Sequence, residues 1–122
     1  MGFSLIWTEE QVDKVSENFS YRVSDSLAST LEDKERQVKW CRSMSDLSAR
    51  VHRMFNLDSL TVAELRFSAM SAEYRALCVV LPDEETVFYY STVPKEGSAQ
   101  KRKLSLMREN SGRIEAYFSE KY

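Results

Sequence analysis

The stretch 63-AELRFSAMSAEYRALCVVLPDEETVFYYSTVPKEG-97 decides the fold, because short runs of β-branched and aromatic residues alternate in it with turn residues. It predicts strands over residues 61–68, 73–81 and 86–93. The connection 82–85 is short and begins with proline and aspartate, so the last two strands should pair as an antiparallel hairpin. The chain is therefore predicted to contain a small antiparallel sheet.

Side chains alternate between the two faces of a strand, and this places two arginines of the stretch on the sheet surface. One face of the first strand carries Val62, Glu64, Arg66 and Ser68, and one face of the second carries Arg75, Leu77, Val79 and Leu81. We expect Arg66 and Arg75 to project from the open side of a curved three-stranded ribbon into a pocket. The alternative is that they form surface ion pairs with Glu64 and Glu73, which contribute about 0–1 kcal/mol each.

The residues before the sheet are predicted to form a strand and helices. The apolar run 3–7, FSLIW, predicts a first strand. Thr8 and Gln11 stand at the spacing of a capping box, so a helix should begin there. Apolar residues at steps of three and four then predict one long helix, which either continues or breaks near residues 32–34. They are Val12, Val15, Phe19, Val23, Leu27 and Leu31.

A second helix is predicted over residues 45–55, where apolar residues again recur at helical spacing. Ser45 or Asp46 is its expected N-cap, because a short polar side chain there can accept a hydrogen bond from the first turn. Residues 56–60 are predicted to connect this helix to the sheet.

The last predicted element is a helix from about Ser98, which Gly112 should weaken or kink. The order of elements predicts an α+β fold, with a small antiparallel sheet of about four strands. The N-terminal helices should pack on one face, and a C-terminal helix should follow the sheet. We predict a single domain over residues 1–122 with an extended N-terminal helical region. The other sheet face is expected to be at least partly exposed and to carry the function.

The composition is that of an ordinary globular protein, with 43% hydrophobic and 30% charged residues among 122. The sequence contains no run of about 18 apolar residues, so no membrane-spanning helix is predicted. The N-terminus lacks a basic segment followed by a long apolar run, so we expect no signal peptide. The expected location is therefore the cytoplasm. Cys41 and Cys78 match no metal-binding or CxxC spacing, and are expected to be buried free thiols rather than a disulfide.

Charge is unevenly distributed along the chain, whose net charge is −2. Residues 1–94 carry a net charge of −5, residues 95–113 carry +4, and residues 114–122 carry −1. A basic segment on an acidic body suggests that one surface binds an anionic partner. The alternative is that residues 95–113 form a solvated helix face without a ligand.

Three ordered motifs resemble the RelE/ParE superfamily of toxins from type II toxin–antitoxin systems, and are most similar to its RelE-like and HigB-like branches. They are ELRF at 64–67, YRALCVV at 74–80 followed by the turn LPDEE, and VFYYSTVPKEG at 87–97 leading into a lysine-rich helix. The resemblance covers residues 57–118, and over residues 1–56 it concerns only the order of elements. It implies a RelE-like fold.

The resemblance also implies a toxin that cleaves mRNA, usually on the ribosome, and is restrained by a bound antitoxin protein. In this reaction the ribose 2′-hydroxyl attacks the adjacent phosphate, without a metal ion or other cofactor. The reaction needs a base for the hydroxyl proton, cations that stabilise the charged phosphorane, and a proton donor for the leaving 5′-oxygen. Arginine suits the second task because its planar guanidinium binds two phosphate oxygens and stays charged.

The resemblance suggests three catalytic residues. Arg75 matches the recurrent phosphate-binding arginine of the family, and Arg66 matches the basic residue that closes the preceding strand motif. Glu64, on the same strand face as Arg66, is the candidate general base. His52, the single histidine, is either a helix-surface imidazole or, if the second helix packs at the sheet edge, a further acid or base.

The basic region after the last strand is expected to contact RNA phosphates. It contributes Lys95 in the turn and Lys101, Arg102 and Lys103 at the start of the final helix. Tyr90 is a candidate for stacking on an unpaired base. The expected partners are a cognate antitoxin, in a hetero-oligomer, and mRNA with or without the ribosome, and no membrane partner is expected.

The sequence departs from the family pattern in ways that keep a second function open. The chain is acidic, whereas the family nucleases are usually strongly basic, and Val62 and Glu64 stand before Arg66 in place of a pair of lysines. There is no histidine near the last strand or the C-terminal residues. The alternative is a non-nuclease interaction protein of the same fold, either a gyrase-inhibiting ParE-like toxin or a degenerate toxin that still binds its antitoxin.

Overall fold

The computed structural model describes residues 2–121, over which the chain forms five helices and five strands. In chain order they are β1 (Ser4–Ile6), α1 (Glu9–Ser16), α2 (Tyr21–Lys39), α3 (Met44–Arg50), β2 (Arg53–Leu57), β3 (Leu60–Ala69), β4 (Ala72–Leu81), β5 (Thr86–Pro94), α4 (Ala99–Glu109) and α5 (Ser111–Lys121). The α+β class predicted from the sequence is confirmed. None of the described helices combines the length and the apolar character that crossing a membrane would need.

The strands form one sheet in the order β1-β5-β4-β3-β2. Neighbouring strands are antiparallel except β1 and β5, which run parallel. The predicted all-antiparallel sheet of about four strands is therefore wrong in two details. The parallel pair arises because β1 is separated from the rest of the sheet by three helices, which allow the chain to cross over before it returns.

The strand that the sequence prediction missed is β2, because residues 53–55 were assigned to a helix and residues 56–57 to a connector. The helix α3 ends at Arg50, and the next residue has an extended backbone. A two-residue turn at Asp58, where φ is 57°, then allows Leu57 to pair with Leu60. The N-cap of α3 is Ser43, whose hydroxyl accepts from the Asp46 backbone, in place of the predicted Ser45 or Asp46.

The predicted long N-terminal helix is two helices, with a break at residues 17–20. The predicted capping box is confirmed: Thr8 Oγ1 accepts from the Gln11 amide at 3.3 Å, and Gln11 Oε1 accepts from the Thr8 amide at 3.0 Å. The stripe of apolar residues continues across the break because Phe19 packs against the same core. The helix α2 then passes through residues 32–34 without interruption.

Each face of the sheet is covered by helices, so the fold has three layers. One core packs α1, α2 and α3 on the face that carries Leu65 and Cys78, and the other packs α4 and α5 on the face that carries Leu77 and Val79. The expected exposed face is therefore closed over most of its area by the C-terminal helices. A groove on this face opens between α4 and the edge strand β2.

The turn between β3 and β4 fixes the register of these two strands, and with it the relative positions of Arg66 and Arg75. Met70 and Ser71 have φ of 52° and 64°, and two consecutive positive values identify a two-residue type I′ hairpin turn. The resulting register places Arg66 directly opposite Arg75, on the face that the C-terminal helices cover. The predicted alternation of side chains along β3 and β4 is confirmed.

The two cysteines are free and buried, as predicted. Burial raises the pKa of the Cys78 thiol to about 12. It also raises the pKa of the Cys41 thiol, with nearby Asp46 adding to the increase. Both side chains behave as small apolar groups of the core that lies under α2.

Candidate functional site

A buried carboxylate brings together the arginines of the two central strands. Glu64 is 2% exposed and Arg75 is 6% exposed, and Nε of Arg75 lies 3.1 Å from Oε1 of Glu64. Nε of Arg66 lies 3.3 Å from the same oxygen. The other carboxylate oxygen accepts a hydrogen bond of 2.6 Å from Nε2 of Gln100 on α4. We call these four residues the Glu64 cluster.

The register of β3 and β4 explains why the cluster forms. Two arginines directly opposite each other repel, and Glu64, two residues from Arg66 on the same face, supplies the charge between them. Arg75 also donates from Nη1 to the carbonyl of Tyr74 at 3.0 Å. Buried charges are costly unless they are paired and hydrogen-bonded, and this arrangement meets that requirement for Arg75.

A cationic groove opens beside the cluster, between the edge strand β2 and α4. Its volume is about 420 Å³. Four of its lining residues are Arg53, Lys95, Lys101 and Arg108, and none of the ten described lining residues is acidic. Phe55, Leu57 and Leu104 contribute apolar surface, and Gly97, Gln100 and Ser105 complete the lining. We call this feature the β2–α4 groove.

The periodicities of two elements explain the lining of the groove. Residues at alternate positions of β2 share the sheet face on which Glu64 lies, so Arg53 and Phe55 both face the groove. On α4, Lys101, Leu104 and Arg108 follow at steps of three and four, which places them on one side of the helix. The strand β2 and the helix α4 therefore each present cationic and apolar groups to the same space.

The cations of the groove differ in how they are paired. Nζ of Lys95 lies 2.8 Å from Oε2 of Glu73, and this hydrogen bond lowers the pKa of the Glu73 carboxyl. The guanidinium of Arg53 lies 4.7 Å above the ring of Phe55. Within the described residues neither Lys101 nor Arg108 takes part in an ion pair. An anion can engage these two side chains, and Arg53, without displacing a protein carboxylate.

His52 lies between α3 and β2 and is part of the surroundings of the cluster. Its Nδ1 accepts a hydrogen bond of 2.9 Å from the backbone amide of Arg66. Burial lowers the pKa of His52, and the charges of Lys34 and Arg66 lower it further. The hydrogen bond requires an unprotonated Nδ1, so the neutral ring carries its proton on Nε2. His52 lies beyond the end of α3, so it is not the predicted helix-surface imidazole, and its contact is with the backbone of Arg66 rather than with the side chains of the Glu64 cluster.

The residues predicted to form the site are distributed over three places. Lys95 and Lys101 line the groove. Arg66 belongs to the Glu64 cluster, and its side chain is 52% exposed, whereas the side chains of Glu64 and Arg75 are 3% and 7% exposed. In this conformation neither Glu64 nor Arg75 can contact a phosphate in the groove.

The other predicted RNA-binding residues lie away from the groove. Nζ of Lys103 is 6.0 Å from the ring centroid of Tyr90, and Tyr90 lines clefts beside α1. Arg102 is exposed but does not line the groove. Lys103 and Arg102 are separated from Lys101 because consecutive residues of a helix point in different directions.

Sequence reasoning missed Arg53, Phe55, Gln100 and Arg108. The first two lie on the strand that was assigned to a helix and connector, so their alternation was not recognised. Gln100 and Arg108 could have been recognised from their spacing in the predicted helix. Arg108 lies eight residues beyond Gln100 and seven beyond Lys101, which places all three on the same side of the helix. Only the pairing of α4 with β2 turns that helix side into a groove.

Among the described residues, no group of three histidine, cysteine, aspartate or glutamate side chains is placed so that it could hold a metal ion. Comparison of the chain with protein-family models finds no match, and comparison with curated proteins finds no significant match. The likeness to the RelE/ParE superfamily therefore rests on the sequence motifs alone.

Proposed function

We propose that this protein binds single-stranded RNA in the β2–α4 groove. The observation that carries the proposal is an open groove with four cationic side chains and no acidic one among its described lining residues. Lysine and arginine at such a surface neutralise phosphates and release counterions, which is the main source of affinity for nucleic acids. The groove lies on a chain of net charge −2, so the attraction is local to this surface.

The apolar part of the groove favours a single strand over a duplex. Phe55, Leu57 and Leu104 lie between the cations, and a duplex keeps its bases stacked inside, away from such surfaces. Unpaired bases instead place their faces on aromatic and apolar side chains while the phosphates contact cations. An open groove of about 420 Å³ accommodates a short segment of such a strand.

The toxin hypothesis gives this binding a biological role. In it the protein is the RNA-targeting toxin of a toxin–antitoxin pair, and mRNA enters the groove, alone or on the ribosome. Lys101 and Lys95 would bind phosphates, and Arg66 is the half-exposed guanidinium that could stabilise charge on a phosphate beside the groove. Glu64 and Arg75 would then act by holding Arg66 and Gln100 in place.

A second candidate is the non-nuclease interaction protein of the same fold, acting on gyrase or binding an antitoxin. Burial of the Arg75–Glu64 pair favours it, because the cleavage reaction needs a base and a cation that reach the scissile phosphate. Nδ1 of His52, the other candidate base, is already occupied by the Arg66 amide. RNA binding is supported more directly than RNA cleavage.

The binding proposal is tested with a fluorescein-labelled single-stranded RNA of about twelve nucleotides, by anisotropy at 50 and 200 mM salt. The variant Lys101→Glu/Arg108→Glu should lose at least about tenfold in affinity at the lower salt, because it reverses two of the three groove cations that lack a carboxylate partner. The matched control Arg102→Glu/Arg113→Glu changes the net charge equally at exposed positions outside the groove. Equal losses in both variants would refute the groove as the binding site.

Expression without an antitoxin separates the two candidates. The nuclease hypothesis predicts growth arrest and new RNA 5′ ends, both abolished by Arg66→Ala, which removes the half-exposed guanidinium. Growth arrest with intact RNA and broken DNA would identify the gyrase-directed alternative. Normal growth with intact RNA and DNA would favour an antitoxin-binding protein without toxicity.

A further inference from the structure

Gln100 connects the buried Glu64 cluster to the groove. It lies in the first turn of α4 and lines the groove, and its Nε2 donates to Oε2 of Glu64 at 2.6 Å. Because an ionised carboxylate only accepts hydrogen bonds, Glu64 determines which end of the amide faces it. The nitrogen of Gln100 must point toward Glu64, and the oxygen must point away.

The amide oxygen of Gln100 is accessible as a consequence. No hydrogen bond to Oε1 of Gln100 is formed by any described residue. No buried side-chain nitrogen or oxygen in the described part of the chain lacks a partner, so this oxygen is not fully buried. It is an acceptor in a groove that Lys101 also lines.

An acceptor in a groove that also contains a lysine donor matches the edge of guanine better than that of the other bases. Guanine offers two adjacent donors, N1–H and the N2 amino group, next to the acceptor O6. One amide oxygen has two lone pairs and can accept from both donors, while a lysine donates to O6. Adenine, cytosine and uracil each offer one such donor beside an acceptor, so they form one hydrogen bond fewer.

We propose that Gln100 is a specificity-determining residue that selects guanine in the bound strand, and that Glu64 is the positioning residue that fixes its amide. The inference rests on the proposed RNA binding and deepens it. Its physical basis is that a fixed carboxamide cannot rotate to offer its nitrogen to another base without breaking the hydrogen bond to Glu64.

The test uses a labelled oligouridine of about twelve nucleotides in which one central base is guanine, inosine, adenine or cytosine. A single guanine avoids self-association of guanine-rich strands. The wild-type protein should bind the guanine oligomer about tenfold more tightly than the others, the discrimination expected of one good base contact. Inosine, which lacks only the N2 amino group, should bind like adenine, cytosine and uracil.

The variant Gln100→Met keeps the length of the side chain and removes the amide. It should bind these four oligomers and unsubstituted oligouridine with equal affinity, whereas the matched control Gln37→Met, the same substitution at an exposed position of α2 outside the groove, should retain the guanine preference. Circular dichroism checks that both variants fold, and the inosine comparison on the wild-type protein decides the question if Gln100→Met does not fold. Binding without a guanine preference, or a preference that persists with inosine, overturns this inference alone. Absence of any RNA binding overturns the proposed function as well.

Discussion

The Glu64 cluster and the β2–α4 groove contain the same kinds of side chain but treat their charges in opposite ways. In the cluster, Arg75 is 6% exposed and its guanidinium has a carboxylate 3.1 Å away. In the groove, Lys101 and Arg108 face solvent without a carboxylate partner among the described residues. Gln100 touches both regions, since it donates to Glu64 and lines the groove.

The difference shows why an arginine in a strand motif is not by its residue type alone a group that is accessible to a ligand. A guanidinium on a central strand is desolvated by the helices above it and requires an internal counter-charge, which then occupies its donors. A cation on an edge strand or on the outer part of a helix keeps its hydration and can exchange water for phosphate. The cluster is therefore expected to contribute mainly to stability and the groove mainly to binding.

The largest effect that this comparison predicts is the loss of stability in Glu64→Ala. The substitution leaves Arg75 buried without a counter-charge and opposite Arg66. We expect the free energy of unfolding to fall by about 3–5 kcal/mol, the usual cost of breaking a buried pair from one side. For a domain of this size that corresponds to a drop in Tm of about 10–20 °C, measurable by circular dichroism.

Two further variants sharpen that prediction. Glu73→Ala removes the partner of Lys95, a pair whose side chains are about half exposed, and should cost much less stability than Glu64→Ala. The double variant Glu64→Leu/Arg75→Met removes both buried charges and should recover most of the stability lost in Glu64→Ala. If Glu64→Ala lowers the free energy of unfolding no more than Glu73→Ala does, the Glu64 cluster does not contribute to stability more than an exposed ion pair.

The groove should show the opposite profile, with an effect on binding and little on folding. Lys101→Ala should reduce affinity for the twelve-nucleotide RNA about fivefold at 50 mM salt, and should lower the slope of log affinity against log salt by about 0.7. Its free energy of unfolding should stay within about 0.5 kcal/mol of the wild-type value, because the side chain is exposed. Arg102→Ala, outside the groove, is the control. If it changed the salt slope as much as Lys101→Ala does, binding would not depend on which side of α4 carries the cation.

The sequence predicted the parts of the fold that depend on local pattern. Alternation placed Glu64, Arg66 and Arg75 on one face, and the capping box at Thr8 located the start of α1. The prediction was wrong where the same few residues fit two patterns. Residues 53–57 fit both the end of a helix and a strand, and the pairing of Leu57 with Leu60 across a turn decides for the strand.

The candidate site was predictable only in part, because its two regions depend on tertiary contacts. The charge of residues 95–113 correctly indicated a cationic surface, and Lys95 and Lys101 lie on it. The apolar residues Leu77, Val79 and Leu81 beside Arg75 were a signal that this face is covered, but the face was expected to stay partly exposed, and α4 and α5 cover it. The missed strand β2 then concealed Arg53, which completes the groove.

The hydrogen bond of His52 with the Arg66 amide makes the stability of the fold depend on pH. The pKa of His52 is lowered from its ordinary 6.5 by burial and by the charges of Lys34, Arg66 and Arg75, while Glu64 acts in the opposite direction. The unfolded chain therefore binds more protons than the folded one between the folded pKa and about 6.5. The stability that His52 contributes is complete above its pKa in the unfolded chain. It is lost as the pH falls through the pKa of His52 in the folded protein.

We expect the free energy of unfolding to decrease between pH 7.5 and pH 5.0, because a protonated Nδ1 cannot accept from the Arg66 amide. Urea denaturation at the two pH values measures this decrease. The variant His52→Gln should reduce it, since an amide oxygen can accept the same hydrogen bond at both values. Glu73, whose carboxyl has a pKa below its ordinary 4.5, titrates outside this range and does not contribute. An unchanged pH dependence in His52→Gln would show that the hydrogen bond does not connect the protonation of His52 to stability.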